Sequence, residues 1–157
     1  MAHTIEVVGL QNALNQLQGV ERKVRKKLLR KYVNEATKRV LKDAKKLAPV
    51  APLGTLKGLY RKSLGRKIKS YQAGLVQVGL VGARGGFRYP AGVRKRGKRK
   101  GEVWYQDPVK IAHLLEKGTA HAAARPHLRP ALANNQATLE ALAEQIIGKG
   151  LGSGGSA

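Results

Sequence analysis

Cysteine is absent from this 157-residue chain. That excludes a disulfide framework, a thiolate zinc site and a cysteine nucleophile. Aromatic residues are few, with one Trp, one Phe and five Tyr, so any core must be built from Leu, Val, Ile and Ala. Acidic residues are also scarce: nine Asp and Glu stand against 31 Lys and Arg, a formal net charge of +22. No apolar run approaches the ~20 residues that cross a bilayer. No basic segment followed by an apolar run and a small-residue cleavage site marks a secretory leader. The chain is expected to stay in a cytoplasm-like compartment until it is assembled into something larger. Catalytic patterns are missing as well: there is no Gly-x-Ser-x-Gly, no phosphate loop and no cluster of carboxylates. Gly82-Ala83-Arg84-Gly85-Gly86 is glycine-rich, but it lacks a following Lys-Ser/Thr and does not open a helix. No enzyme and no cofactor are expected.

The charge that is present is uneven. Residues 22–100 hold 26 basic residues and only Glu35 and Asp43 as acids. Such a field attracts polyanions or acidic protein surfaces and speeds encounter with them. Its sharpest feature is Arg94-Lys95-Arg96-Gly97-Lys98-Arg99-Lys100, six cations in seven residues. These cations repel one another and bury nothing, so the segment is expected to contact a polyanion or an acidic partner rather than to fold alone. The plainer reading is a solvated hairpin tip.

Periodicity organises the rest. Thr4 to Val8 alternates as a short strand. From Leu10, apolar residues recur at steps of three and four through Leu14, Leu17, Val20, Val24, Leu28, Tyr32, Ala36, Val40, Ala44 and Leu47, a helical stripe. Gly19 divides it, leaving a long basic helix of about 28 residues, roughly 42 Å. Pro49 and Pro52 end it. The stretch 56–71 has diluted β alternation with Leu64, Ile68 and Tyr71 turned inward, and Gln72-Ala73-Gly74 is a turn. Residues 75–81 and 102–105 are strands, with Trp104 expected in the core. Asp107-Pro108 caps a helix over 108–117 that Gly118 stops. Pro130 opens a last helix over 130–147, with Leu132, Leu139, Leu142 and Ile146 buried. The expected fold is α+β: an antiparallel sheet of about four strands with the long N-terminal helix and the C-terminal helix packed on one face. Residues 1–147 form a single domain with a basic loop at 84–101, and 148–157 form a flexible Gly/Ser-rich tail.

Three motifs carry a family resemblance. His113-Leu-Leu-Glu-Lys-Gly-Thr119 followed by Ala124-Arg-Pro-His-Leu-Arg-Pro-Ala-Leu132 resembles a signature of the tailed-phage neck proteins, the head–tail joining or tail-completion family. Ala44-Lys-Lys-Leu-Ala-Pro-Val50 with Gly54-Thr-Leu56 is similar to its second signature, a helix ending in Ala-Pro before a hairpin. Ile5-Glu-Val-Val-Gly-Leu10 fits its opening. The resemblance covers residues 4 to 147. His127 departs from it, standing where the family usually has an aromatic, and 84–101 is unusually basic. The resemblance implies a structural virion protein in the neck or tail, assembled in the bacterial host cytoplasm. It further implies a homo-oligomeric ring, sixfold to match a tail tube, that completes the tail and joins it to the DNA-filled head. Its partners would be head-connector and tail-tube or tail-terminator proteins, with genomic DNA touched in the channel and no membrane. Tail terminator and head-closure protein are alternatives within the same family.

The resemblance also places the Glu-Lys-Gly-Thr turn near subunit contacts, so Glu116, Lys117, Gly118, Thr119, Arg125 and Arg129 are the candidate interface residues. Glu116 lies one turn from the C-terminal end of its helix, where the dipole disfavours a carboxylate. A salt bridge to Arg125, to Arg129 or to a neighbouring subunit is the expected compensation. Candidate partner-contact cations are Arg94, Lys95, Arg96, Lys98, Arg99 and Lys100. The four histidines, His3, His113, His121 and His127, lack metal-like spacing and read as turn or core-edge residues. A rival from composition alone is a basic, ribosomal-protein-like RNA-binding module. Against it stands the absence of an aromatic platform on a strand. A small nuclease lacks its acid–base pair. A membrane-lying basic helix is less consistent with a Val/Ala-rich stripe that a sheet can cover.

Overall fold

The computed structural model describes residues 22–50, 58–86 and 88–152. The expected strand at Thr4–Val8, the short helix before Gly19, the hairpin opening at Gly54-Thr55-Leu56, Phe87 and the end of the tail lie outside them. In order the elements are α1 (Arg22–Leu47), α2 (Leu59–Ser63), β1 (Leu64–Tyr71), β2 (Val76–Ala83), β3 (Tyr89–Val93), β4 (Val103–Gln106), α3 (Pro108–Lys117), α4 (Leu128–Ala133) and α5 (Gln136–Gly152). A single 3-10 turn, Gln72–Gly74, joins β1 to β2.

Among the described residues there are four strands, β3 falling within the segment 84–101 expected as loop, and they form two antiparallel two-stranded sheets, β1–β2 and β3–β4, rather than one four-stranded sheet. The local reason lies in β3. Pro90 has no N–H to give a neighbouring strand, and the register shifts between Pro90 and Gly92. A strand with a missing donor and a bulge is poorly suited to extend another ladder.

The chain gathers into two compact units. One contains residues to Arg39, Lys67–Leu80 and those from Ala133; the other contains Val40–Arg66 and Val81–Leu132. In the first unit, Leu28, Tyr32 and Ala36 of α1 are buried, as are Leu139, Leu142, Ala143, Ile146 and Ile147 of α5. Backbone approaches core side chains at Gly79 and Gly150. A Cβ on Gly150 would collide with Leu28, and one on Gly79 would collide with Thr37 and Val33. Thr37 is itself held down, its hydroxyl donating to the Val33 carbonyl at 2.8 Å.

The second unit has a cluster of Ala48, Tyr60 and Leu64, against which Leu41, Ala83, Ala112, Leu115 and Leu128 pack. Val40, Ala44 and Ala131 are buried there too. The stripe read on the long helix is therefore buried from Leu28 to Ala44. Leu47 is exposed, and Ala48 takes its place in the core. Burial follows the four-residue steps from Leu28 through Ala44 to Ala48, and the three-residue step to Leu47 leaves that series.

Other expectations shift at element ends. Leu64 is buried and Ile68 half-buried, but Tyr71 is exposed and the segment opens with the short helix α2. Pro130 does not open a helix; it is the third residue of α4, where a missing N–H is still harmless. The expected final helix is broken in two at Asn134-Asn135. Asn135 is buried, precedes α5 and accepts the Leu139 N–H at 2.8 Å through its carbonyl. Asn is a favoured residue at such a start. Where a tail was expected from Gly148, α5 continues to Gly152.

Candidate interaction surfaces

Helix α3 is capped at both ends. Asp107 accepts the Val109 N–H at 2.9 Å, and Pro108 occupies the first helical position. At the other end the Gly118 N–H reaches the Leu114 carbonyl at 2.8 Å, with φ of 75° at Gly118. A Cβ there would lie 2.7 Å from the Ala124 nitrogen and 2.9 Å from the Ala122 carbonyl oxygen. Glycine is needed for both reasons. Thr119 and Ala122 then close a small bridge, and the Arg125 N–H returns to the Leu115 carbonyl at 2.7 Å.

Glu116 sits inside this turn. Its side chain is 13% exposed, and Oε1 accepts the backbone N–H groups of His127, at 2.9 Å, and of Leu128. Those are first-turn donors of α4, left without intrahelical acceptors. The expected salt bridge to Arg125 or Arg129 is replaced by this cap. Oε2 is buried with no hydrogen-bond partner among the described residues. The carboxylate also faces His127 Nδ1 at 3.1 Å. His127 is fully buried, and its Nε2 lies 2.9 Å from the Tyr60 hydroxyl, with the two rings edge-to-face. With Nδ1–H turned to the carboxylate, Nε2 accepts the tyrosine proton; this tautomer satisfies both contacts. Lys117, Thr119, Arg125 and Arg129 are exposed around the turn. The structure thus brings Glu116 and Gly118 inside as supports and leaves the other four as surface.

The cationic segment is a hairpin tip joining β3 to β4. The Arg94 N–H donates to the Glu102 carbonyl at 2.9 Å and the Gly101 N–H to the Arg94 carbonyl at 2.9 Å. Gly97 and Gly101 supply positive φ for the bend. Arg94, Lys95, Arg96, Lys98, Arg99 and Lys100 are all exposed. Arg99 approaches Glu102 at 3.9 Å, an exposed pair of little consequence. The segment was expected not to fold alone; backbone hydrogen bonds and two glycines order it without any side-chain burial.

The ribbon beneath this tip was missed as a surface. Trp104 is 39% exposed and Tyr105 61% exposed, and Val93 and Val103 are exposed as a cross-strand pair. Trp104 is not core; its indole nitrogen stands 3.2 Å from where a Cβ on Gly92 would be. Because successive strand residues point to opposite faces, Val103-Trp104-Tyr105 makes both faces apolar. Three consecutive large apolar residues without alternation were the available signal.

A third surface lies on α1 of the first unit. Lys27, Arg30, Lys31 and Asn34, with Ile68 of β1, line an open groove of about 380 Å³. Among the described residues, no group of three His, Asp or Glu side chains is arranged to hold a metal ion, and no helix is long and apolar enough to cross a membrane.

Comparison with known proteins gives one informative match. The family described as "Bacteriophage HK97-gp10, putative tail-component" matches residues 11–118, from before α1 through α3 and its glycine stop. No curated protein and no solved structure matches. The matched span takes in α1, both hairpins and the capped helix α3, and stops short of the Pro-x-Leu-Arg-Pro-Ala-Leu stretch. The match extends over more than half of the chain, and the chain belongs to the HK97-gp10-like family of bacteriophage tail components.

Proposed function

We propose that the protein is a structural component of a tailed-phage neck that works by binding and makes or breaks no covalent bond. Identical copies close into a ring, sixfold to match a tail tube, which completes the tail end and joins it to the DNA-filled head. The observation that carries the ring is the β3–β4 ribbon. A two-stranded hairpin is marginal in water without a covering element, and this one exposes Val93, Val103, Trp104 and Tyr105. A closed ring needs two different complementary surfaces on each copy. The ribbon supplies one; the turn displaying Lys117, Thr119, Arg125 and Arg129 supplies the other, held in shape by Glu116 and Gly118.

The six tip cations reach an acidic protein layer above or below the ring. A channel lined by them would grip the genome through counterion release and impede its exit. Single-domain size and lack of a catalytic constellation support a purely adhesive role.

Three experiments test this reading. Electron micrographs of particles made without the protein should show full heads beside separate tails; normal joined virions would overturn it. Native mass spectrometry of the purified protein should show a closed oligomer that Trp104→Ser with Tyr105→Ser reduces to monomer. Changing the six tip cations to Glu should impair head–tail joining more than DNA ejection. Equal loss of both, or of neither, would remove the acidic layer from the reading.

A further inference from the structure

The groove on α1 belongs to neither proposed ring surface. Lys27, Arg30 and Lys31 stand at helical spacing on one face, Asn34 is one turn further on, and Ile68 lies half-buried among them. Like charges three and four residues apart on a helix destabilise it. The two acids of α1 are engaged elsewhere, Glu35 with Lys38 at 2.7 Å and Asp43 with Lys46 at 3.2 Å. No ion pair of Lys27, Arg30 or Lys31 occurs among the described residues. Three cations with no ion pair among the described residues, around a groove far larger than one water, suit an extended anionic ligand.

The lining distinguishes between anions. Single-stranded nucleic acid is held by stacking its bases on aromatic rings, and none of the lining residues is aromatic. A duplex backbone offers phosphates but no aliphatic group for Ile68. An extended acidic peptide offers both. Its same-face side chains recur every ~6.6 Å, close to the ~6 Å rise between Lys27 and Lys31 along α1, with Arg30 beside Lys31.

We infer that this groove binds an acidic, extended segment of a neighbouring protein, with carboxylates on Lys27, Arg30 and Lys31 and one aliphatic side chain over Ile68. The site is independent of the ring reading, because it uses a different surface of the chain. It adds a peptide-recognition role to a component otherwise read as an adhesive layer.

The test uses the full-length protein and fluorescence anisotropy of a labelled, acidic peptide of about twelve residues with one central leucine. The competitors are the same peptide with serine for leucine and a DNA duplex of about 20 base pairs. Lys27→Gln, Arg30→Gln and Lys31→Gln together should weaken leucine-peptide binding at least ~10-fold, since three charge contacts of even modest strength sum to that. Ile68→Ser should weaken the leucine peptide by ~3-fold or more and leave the serine peptide unchanged, the scale of one buried aliphatic contact. Circular dichroism of the variants should match the parent, because the three cations are exposed. Unaltered binding by the triple Gln variant would overturn the inference. So would an Ile68→Ser variant without effect, or a duplex that displaces the peptide at lower concentration than the unlabelled peptide does. The last outcome would make the groove a nucleic-acid surface instead.

Discussion

The carboxylate of Glu116 caps the backbone of His127: one oxygen accepts the His127 N–H at 2.9 Å and faces the same residue's Nδ1 at 3.1 Å. A single acid from the end of α3 thereby starts α4 and orients a fully buried imidazole. The turn between them is short, bridged and glycine-dependent, so its exposed side chains are presented in one arrangement.

Replacing Glu116 with alanine leaves buried first-turn N–H groups of α4 without an acceptor. Hydrogen bonds to a charged group are worth about 1.5–3 kcal/mol. Glu116→Ala is therefore expected to lower stability by ~2 kcal/mol, and Tm by ~4–8 °C for a chain of this size. Glu116→Gln, which keeps an acceptor oxygen, should lose less. Thermal unfolding followed by circular dichroism checks both, and equal losses would show that the cap is not what the charge provides.

Tyr60 and His127 should behave as a coupled pair. Tyr60→Phe leaves Nε2 of a fully buried ring unpaired and should cost about 1–3 kcal/mol. His127→Phe removes the tyrosine hydroxyl's 2.9 Å contact. The double variant, an apolar ring pair of similar shape, should lose less than the two single losses combined, with a coupling of at least ~0.5 kcal/mol in urea denaturation. Strict additivity would mean that the 2.9 Å contact contributes nothing.

Gly118→Ala should be severe. The residue has positive φ, and the new methyl would meet backbone atoms of Ala122 and Ala124 rather than yielding side chains. A loss of about 2 kcal/mol or more is expected, together with weaker oligomerisation if the turn is a ring surface. Wild-type Tm and wild-type mass in the variant would count against both statements.

Tyr32 gives a pH prediction. Burial, and secondarily the negative charge of Glu140, raise its pKa above the ordinary 10.0. The folded state therefore holds the phenolic proton more tightly than the unfolded state. Its contribution is fully present below pH 10 and is lost as pH rises through the elevated value. Chemical denaturation across the alkaline range should show a steeper decline for the parent than for Tyr32→Phe, with the two parallel below pH 9. Identical slopes above pH 10 would contradict the shift.

Local chemistry was legible from the residues alone. The helical stripe of α1, the Asp107-Pro108 start, the Gly118 stop and the Gln72–Gly74 turn each depend on neighbours within one or two helical turns. Hydrogen bonding and backbone sterics at that range are written in the chain. Three facts were not. Trp104 was read as core and is surface, because whether a strand face is covered depends on elements distant in sequence. Glu116 was matched to an arginine and instead caps α4, because backbone donors leave no trace in residue type. One sheet of about four strands was expected, with 89–93 read as loop; the described strands include β3 there and form two sheets, because pairing depends on a missing N–H at Pro90 and a register shift at Gly92. Charge, family and the capped ends of α3 are local properties of the chain; which side chains remain uncovered is not, since burial belongs to the arrangement of elements and not to any one of them.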